Sequence, residues 1–207
     1  MTRFTAGRIL ITGALLSAVP PVAAAQGAQG SSPGSIPKFV NFDTTGMFQG
    51  LFFSAGDRLF VAGQPTEKGL REMKARGVTT VVNLRSPGEM ARVGFDEAAV
   101  VKQLGMQYVY LPMRGDSVMP FTPAAVKSLA AAIAGTDGKV LLHCTVAWRA
   151  RHLYGAYLVT EMHAPLDEVL TKLDLVTPSD IRAMRELQPF EEFLGHPVPQ
   201  FAKYRSP

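Results

Sequence analysis

One cysteine, Cys144, is all the thiol in this chain of 207 residues, so no internal disulfide can hold the fold. Tryptophan also occurs once, at Trp148, in the same stretch. The four histidines have no ligand-like spacing, and no bound metal or other cofactor is expected. Charged residues make up 18% of the chain and form no basic stripe, so no nucleic-acid partner is inferred. Long apolar runs are scarce too: beyond residue 25, every hydrophobic stretch is broken by charge, Gly or Pro well short of the ~20 residues of a membrane span.

What is present begins with an export signal. Arg3 and Arg8 precede an apolar run, Ile9 to Val19, that ends in Val22-Ala23-Ala24-Ala25, the layout of a secretory signal peptide cut after Ala25. The alternative is an uncleaved anchor. Removing residues 1–25 takes away two arginines and no acid, so the formal charge falls from +4 to +2. The mature chain is expected in the periplasm or outside the cell, with no stable membrane span. A lone reactive thiol there needs shielding from oxidation.

Residues 26–37 are rich in Gly, Ser, Gln and Pro and read as a linker. With the aromatic segment that follows, carrying Phe39, Phe42, Phe48, Phe52 and Phe53, they make up an N-terminal region over 26–56. From Leu59, short β-rich runs alternate with amphipathic helices. Leu59–Ala62, Val78–Leu84, Tyr108–Leu111 and Lys139–Leu142 read as strands. Thr66 caps a helix ending at Gly77; one helix carrying Phe95, Ala98, Val101 and Leu104 follows Ser86-Pro87-Gly88; Thr122-Pro123 starts another. Helices are also expected over about Ala150–Met162, Leu166–Leu173 and Ser179–Phe193. The pattern predicts an α/β fold, a three-layer sandwich with a mostly parallel central sheet, over 57–175, and a helical extension over 176–207.

His143-Cys144 follows the last strand directly, and Thr145 to Arg149 must turn into a helix. The first N–H groups of a helix lack internal partners and carry its positive dipole end. A cysteine beside them and beside an arginine favours its thiolate form. Arg149 can grip two oxygens of an oxyanion, and Thr145, Val146, Ala147 and Trp148 would supply the cradle. These features describe a nucleophilic Cys144 facing a tetrahedral anion; the competing reading is a buried structural thiol. His143 is expected to orient the loop and favour the thiolate, the alternative being a plain packing role. Trp148 either walls the pocket or fills space. Arg85, at the same sheet edge, either adds positive potential or makes a surface salt bridge.

The stretch resembles the cysteine-dependent tyrosine and dual-specificity phosphatases, whose signature is His-Cys, a short loop containing Gly, and an Arg leading into a helix. More closely it resembles the bacterial phosphatase-like domain of the beta-lactamase-hydrolase-like family. The likeness runs through Val61-Ala62-Gly63-Gln64-Pro65, Gly77 to Arg85, Gly105 to Pro112 and the His143-Cys144 loop. It implies a cysteine-phosphatase-like fold and hydrolysis of a phosphomonoester, on a small molecule or a phosphoprotein, through a Cys-phosphate intermediate. It further implies Asp116, in the loop after the third of these strands, as the general acid, with no metal needed; the competing reading of an aspartate after Gly in a loop is a plain turn residue. Two departures stand out. Arg149 leaves four residues after Cys144 where the main branch has five, and Ala147 and Val146 replace a Gly and a small polar residue. Ala at positive φ is disfavoured by ~1 kcal/mol or more, so a lowered rate is expected. The four-residue spacing also matches rhodanese-like sulfurtransferases, which leaves open a Cys144 persulfide. A silent relative that binds an anion or a protein is the remaining alternative.

Overall fold

Val140, Leu141 and Leu142 carry only apolar side chains on successive positions, which suits a strand covered on both faces. In the computed structural model, which describes residues 34–173 and 181–204, these three are fully buried at the middle of a six-stranded sheet. The predicted signal peptide and the linker up to residue 33 lie outside the described residues.

The strands are β1 (Phe39–Val40), β2 (Phe52–Ala55), β3 (Leu59–Ala62), β4 (Val78–Asn83), β5 (Gln107–Tyr110) and β6 (Lys139–His143), in the spatial order β1-β2-β3-β6-β4-β5. β3, β6, β4 and β5 are parallel neighbours, while β1 and β2 add on antiparallel. The helices are α1 (Glu67–Ala75), α2 (Pro87–Met90), α3 (Glu97–Gln103), α4 (Pro123–Ala134), α5 (Trp148–Thr160), α6 (Leu166–Lys172) and α7 (Ile181–Leu194). No helix among the described residues is long and apolar enough to cross a membrane.

Alternation along the strands divides the core in two. Val140 and Leu142 face the layer that contains Val126 and Leu129 of α4, Leu153 of α5, and Phe190 and Phe193 of α7. Leu141 faces the opposite layer, with Leu70 and Met73 of α1 and Val101 of α3. The expected three layers with a mostly parallel sheet are therefore present. Thr66 and Thr122 cap α1 and α4 through their side chains, as their positions suggest.

The segment after Ser86 differs from the expected single helix. Ser86 and Glu89 form a reciprocal capping box around the short α2, and Asp96 caps a separate α3. Phe95 therefore precedes α3. The last helix begins at Ile181 in the described residues, and Ser179 lies outside them.

The aromatic segment before residue 57 belongs to the same sheet. Phe52 and Phe53 of β2 point to opposite layers, where Phe52 meets Phe42 with ring centroids 4.8 Å apart and Phe53 meets Phe39 at 5.2 Å. Beyond β2 this chain also reaches the loop after Cys144. The Gln49 N–H donates to the Gln64 carbonyl at 3.0 Å, and the Gln64 N–H donates to the Thr145 carbonyl at 2.9 Å. Only glycine fits at position 63, because a Cβ there would lie 1.5 Å from the Gln49 carbonyl oxygen.

Candidate active site

β6 delivers His143 to the carboxyl edge of the sheet, and the chain must then reverse into α5 within four residues. It does so through Ala147, whose φ of 70° and ψ of 0° lie in the left-handed region. This is the position where the phosphatase signature carries glycine, so the turn is kept although the residue has changed. Ala147 is the N-cap of α5 and provides no side-chain cap, so the first N–H groups of the helix stay unclaimed by one. Ala147→Gly should relieve roughly 1–2 kcal/mol of left-handed strain while losing about 0.5–1 kcal/mol in chain entropy and packing. The expected result is a net stabilisation of about 0.5–1 kcal/mol in chemical unfolding; a loss above that size would show that the buried Cβ matters more than the strain.

Cys144 is only 1% exposed and Arg149 only 9%. The guanidinium is held on several sides. Its two terminal nitrogens meet Glu89 at 2.5 and 2.9 Å, and it also donates to the Met113 carbonyl at 2.6 Å and to Thr145 Oγ1 at 3.2 Å. Burial works against the Arg149 charge, yet the Glu89 hydrogen bonds and the neighbouring Cys144 outweigh it and hold its pKa above the ordinary arginine value. Burial also opposes the Glu89 charge, but bonds from Arg149, Thr145 and Ser86 keep that carboxyl far below the usual range.

Behind the loop lies a buried polar network. His143 Nε2 is 2.9 Å from Glu97 Oε1, with both side chains fully buried. Glu97 also accepts from Gln64 Nε2 at 2.5 Å and from Asn83 Nδ2 at 3.2 Å. Arg85 donates to Gln64 Oε1 at 2.5 Å and to the Glu89 carbonyl at 3.0 Å. Burial opposes the Glu97 charge, and His143, Gln64 and Arg85 together still lower its pKa. His143 Nδ1 is buried with no hydrogen-bond partner among the described residues.

The structure thus brings Cys144, Thr145, Ala147 and Arg149 together, with Trp148 on the wall of the adjoining pocket. Val146 points elsewhere: it is 52% exposed and pairs as an isolated bridge with Gly63. The surface salt bridge considered for Arg85 is not formed, because the side chain is buried against Gln64 and lines a different pocket. Asp116 is half-buried, paired with Arg114 at 2.7 Å, and bonded to the N–H groups of Val118 and Met119. The Met119 N–H foremost, with Val118 and Arg114, holds its carboxyl below the ordinary value. Glu89, Glu97, Gln64 and Asn83 are the members that sequence reasoning did not place in a site. Gln64 and Asn83 lie in segments that carry the family resemblance, whereas the Ser86-x-x-Glu89 spacing marks a cap.

Residues 52–158, just over half of the chain, match the family model for the phosphatase-like domain of beta-lactamase hydrolase-like proteins. The chain belongs to this family. A beta-lactamase hydrolase-like protein of Xylella fastidiosa (strain Temecula1 / ATCC 700964) is 35% identical over 115 residues, which is 55% of this chain and 26% of that protein. One from Agrobacterium fabrum is 29% identical over 100 residues, 47% of this chain and 22% of its own length. The match thus spans only about a quarter of these relatives. Solved structures of cysteine-dependent phosphatases share the fold. Pseudomonas aeruginosa TpbA, in a variant bound to phosphotyrosine, is 17% identical with a TM-score of 0.53, covering 79% of this chain and 98% of its own. PTPMT1 bound to PI(5)P is 15% identical with a TM-score of 0.50, covering 67% of this chain and 94% of its own. A DUF442 protein of Shewanella putrefaciens CN-32 reaches a TM-score of 0.55 at 21% identity, over 75% of this chain and 98% of its own. The beta-lactamase hydrolase-like family thus contributes to this chain a phosphatase-like domain on a cysteine-phosphatase fold.

Proposed function

We propose that this chain is an exported, cysteine-dependent phosphatase that hydrolyses a phosphomonoester through a Cys144-phosphate intermediate. The observation that carries the reading is Arg149 at the start of α5, its charge upheld by Cys144 on one side and a two-oxygen carboxylate on the other. A guanidinium that already holds Glu89 with both terminal nitrogens has the geometry for two phosphoryl oxygens. The export step is supported by the leader-like sequence of residues 1–25.

In this reaction Cys144 Sγ attacks phosphorus, and the bond from phosphorus to the leaving oxygen breaks. Arg149 and the α5 N–H groups hold the equatorial oxygens. Asp116 gives its proton to the leaving oxygen. Water then attacks phosphorus, the S–P bond breaks to return the thiolate, and Asp116 takes the water's proton. Two features support a lowered rate. Glu89 fills the fork that phosphate needs, and the turn bonds and the Arg114 pair keep Asp116 ionised and engaged within its own loop. The loop that carries Asp116 must therefore move before it can act as an acid.

Asp116→Asn should consequently slow an alkyl phosphate by about 100-fold or more, and an aryl phosphate with a good leaving group by under about 10-fold. Equal losses on both substrates, in steady-state assays, would remove Asp116 from the acid role.

A second reading, sulfur transfer through a Cys144 persulfide, is favoured by the same filled fork, because a sulfane sulfur needs no two-oxygen clamp. The two are separated by assaying phosphate release from an aryl phosphate alongside thiocyanate formation from thiosulfate and cyanide. Phosphate release is expected; thiocyanate without phosphate would replace the first reading by the second.

A further inference from the structure

The open pocket in front of Arg149 is lined by two guanidinium groups besides the one placed to meet the phosphoryl oxygens. It measures about 400 Å³ and is walled by Trp148 and by three arginines, Arg92, Arg114 and Arg149, against a single carboxylate, Glu89. That volume lies within the ~300–1,000 Å³ of ordinary small-molecule pockets, well beyond a lone phosphate. Each arginine comes from a different part of the fold: Arg149 from α5, Arg114 from the loop after β5, and Arg92 from the chain just after α2. Two of the charges are already answered. Glu89 faces Arg149, and Asp116 faces Arg114 at 2.7 Å. The exposed Arg92 side chain has no ion-pair or side-chain hydrogen-bond partner among the described residues, although its backbone N–H donates to the Glu89 carbonyl at 3.2 Å and so fixes its place beside the fork.

We infer that this pocket takes a small molecule carrying a second anionic group beside the phosphoryl group that meets Cys144, with Arg92 and Arg114 as its specificity-determining residues. The inference rests on the phosphatase reading for which group reacts, but the binding it describes does not need turnover. Guanidinium groups are suited to this because each can hold two oxygens of a phosphate or carboxylate at once. When Asp116 leaves Arg114 to serve as the acid, Arg114 is freed, and a second anionic group on the substrate is the natural replacement partner. The substrate would then help to release its own acid. An uncharged or apolar leaving group would find the indole of Trp148 as its apolar wall and would leave Arg92 without an anionic ligand.

The test uses Cys144→Ser, which keeps the pocket and removes the nucleophile, titrated calorimetrically with orthophosphate and with tripolyphosphate. Tripolyphosphate is expected to bind at least about 10-fold more tightly, a modest factor because the added contacts are open to water. Replacing Arg92 and Arg114 by alanine together should shrink that gap below about 3-fold, while Arg92→Lys with Arg114 intact should keep most of it. Equal affinity for the two anions, or a gap that survives the double replacement in a folded protein, would overturn the inference. A gap without any phosphomonoester hydrolysis by the unsubstituted chain would keep the second-anion site and sink the reaction. Hydrolysis without a gap would do the reverse.

Discussion

Glu97→Ala is expected to lower the unfolding free energy by about 3–5 kcal/mol, because it removes a buried carboxylate that answers several buried donors. Glu97 receives His143 at 2.9 Å, Gln64 at 2.5 Å and Asn83 at 3.2 Å, all without access to water. Alanine leaves these donors facing a void, and His143 already has one buried nitrogen without a partner among the described residues. Because the Glu97 pKa is lowered from 4.5 in the folded protein, its contribution is complete above that value and is lost as the pH falls through the lowered one. Urea unfolding at pH 7 and at successively lower pH measures both effects. The unsubstituted chain should lose stability with acid more steeply than Glu97→Gln, which has no carboxyl to titrate at this position. A loss under about 1 kcal/mol for Glu97→Ala at pH 7 would show that the network contributes little.

Cys144→Ser is expected to reduce aryl phosphate hydrolysis by at least about 1,000-fold, since removal of a nucleophile costs that much or more and a serine hydroxyl is not ionised at neutral pH. The exchange is nearly isosteric and leaves the Arg149 pair with Glu89 in place, so the folded state should survive. The 1% exposure of Cys144 also bears on its protection. A thiol this covered is shielded from bulky oxidants. Retained hydrolysis in the serine variant, with the contaminating activity of a mock preparation subtracted, would remove Cys144 from the reaction.

The parallel part of the sheet could be read from local signals. Val78–Val82 of β4 and Val140–Leu142 of β6 are unbroken apolar or β-branched runs, each strand preceded by glycine, and α1 and α4 announce themselves through Thr66 and through Thr122-Pro123. The break between α2 and α3 could not be read from apolar spacing, which continues through Phe95 and Ala98; only the caps at Ser86 and Asp96 mark it. β2 was obscure because Phe52 and Phe53 are both buried, on opposite faces, so no alternation shows. At the site, His143, Cys144 and Arg149 lie within one short stretch and declare themselves. Their carboxylate partners do not: Glu97 is 46 residues from His143 and Glu89 is 60 from Arg149, and the turn that carries Glu89 back to the loop is visible only in three dimensions. Arg85 was open to misreading for the same reason, since the group it bonds, Gln64, lies 21 residues away, just after β3.

The covalent intermediate is the centre of the account. Rapid mixing of the chain with an aryl phosphate, acid quenching and mass analysis of the peptide around His143-Cys144-Thr145 tests it most directly. The account predicts a transient phosphoryl group on Cys144, absent from Cys144→Ser and longer-lived in Asp116→Asn, where no base assists the second step. Phosphate release with no phosphoryl group ever found on Cys144, or an added sulfur after thiosulfate as the one modification seen there, would contradict it.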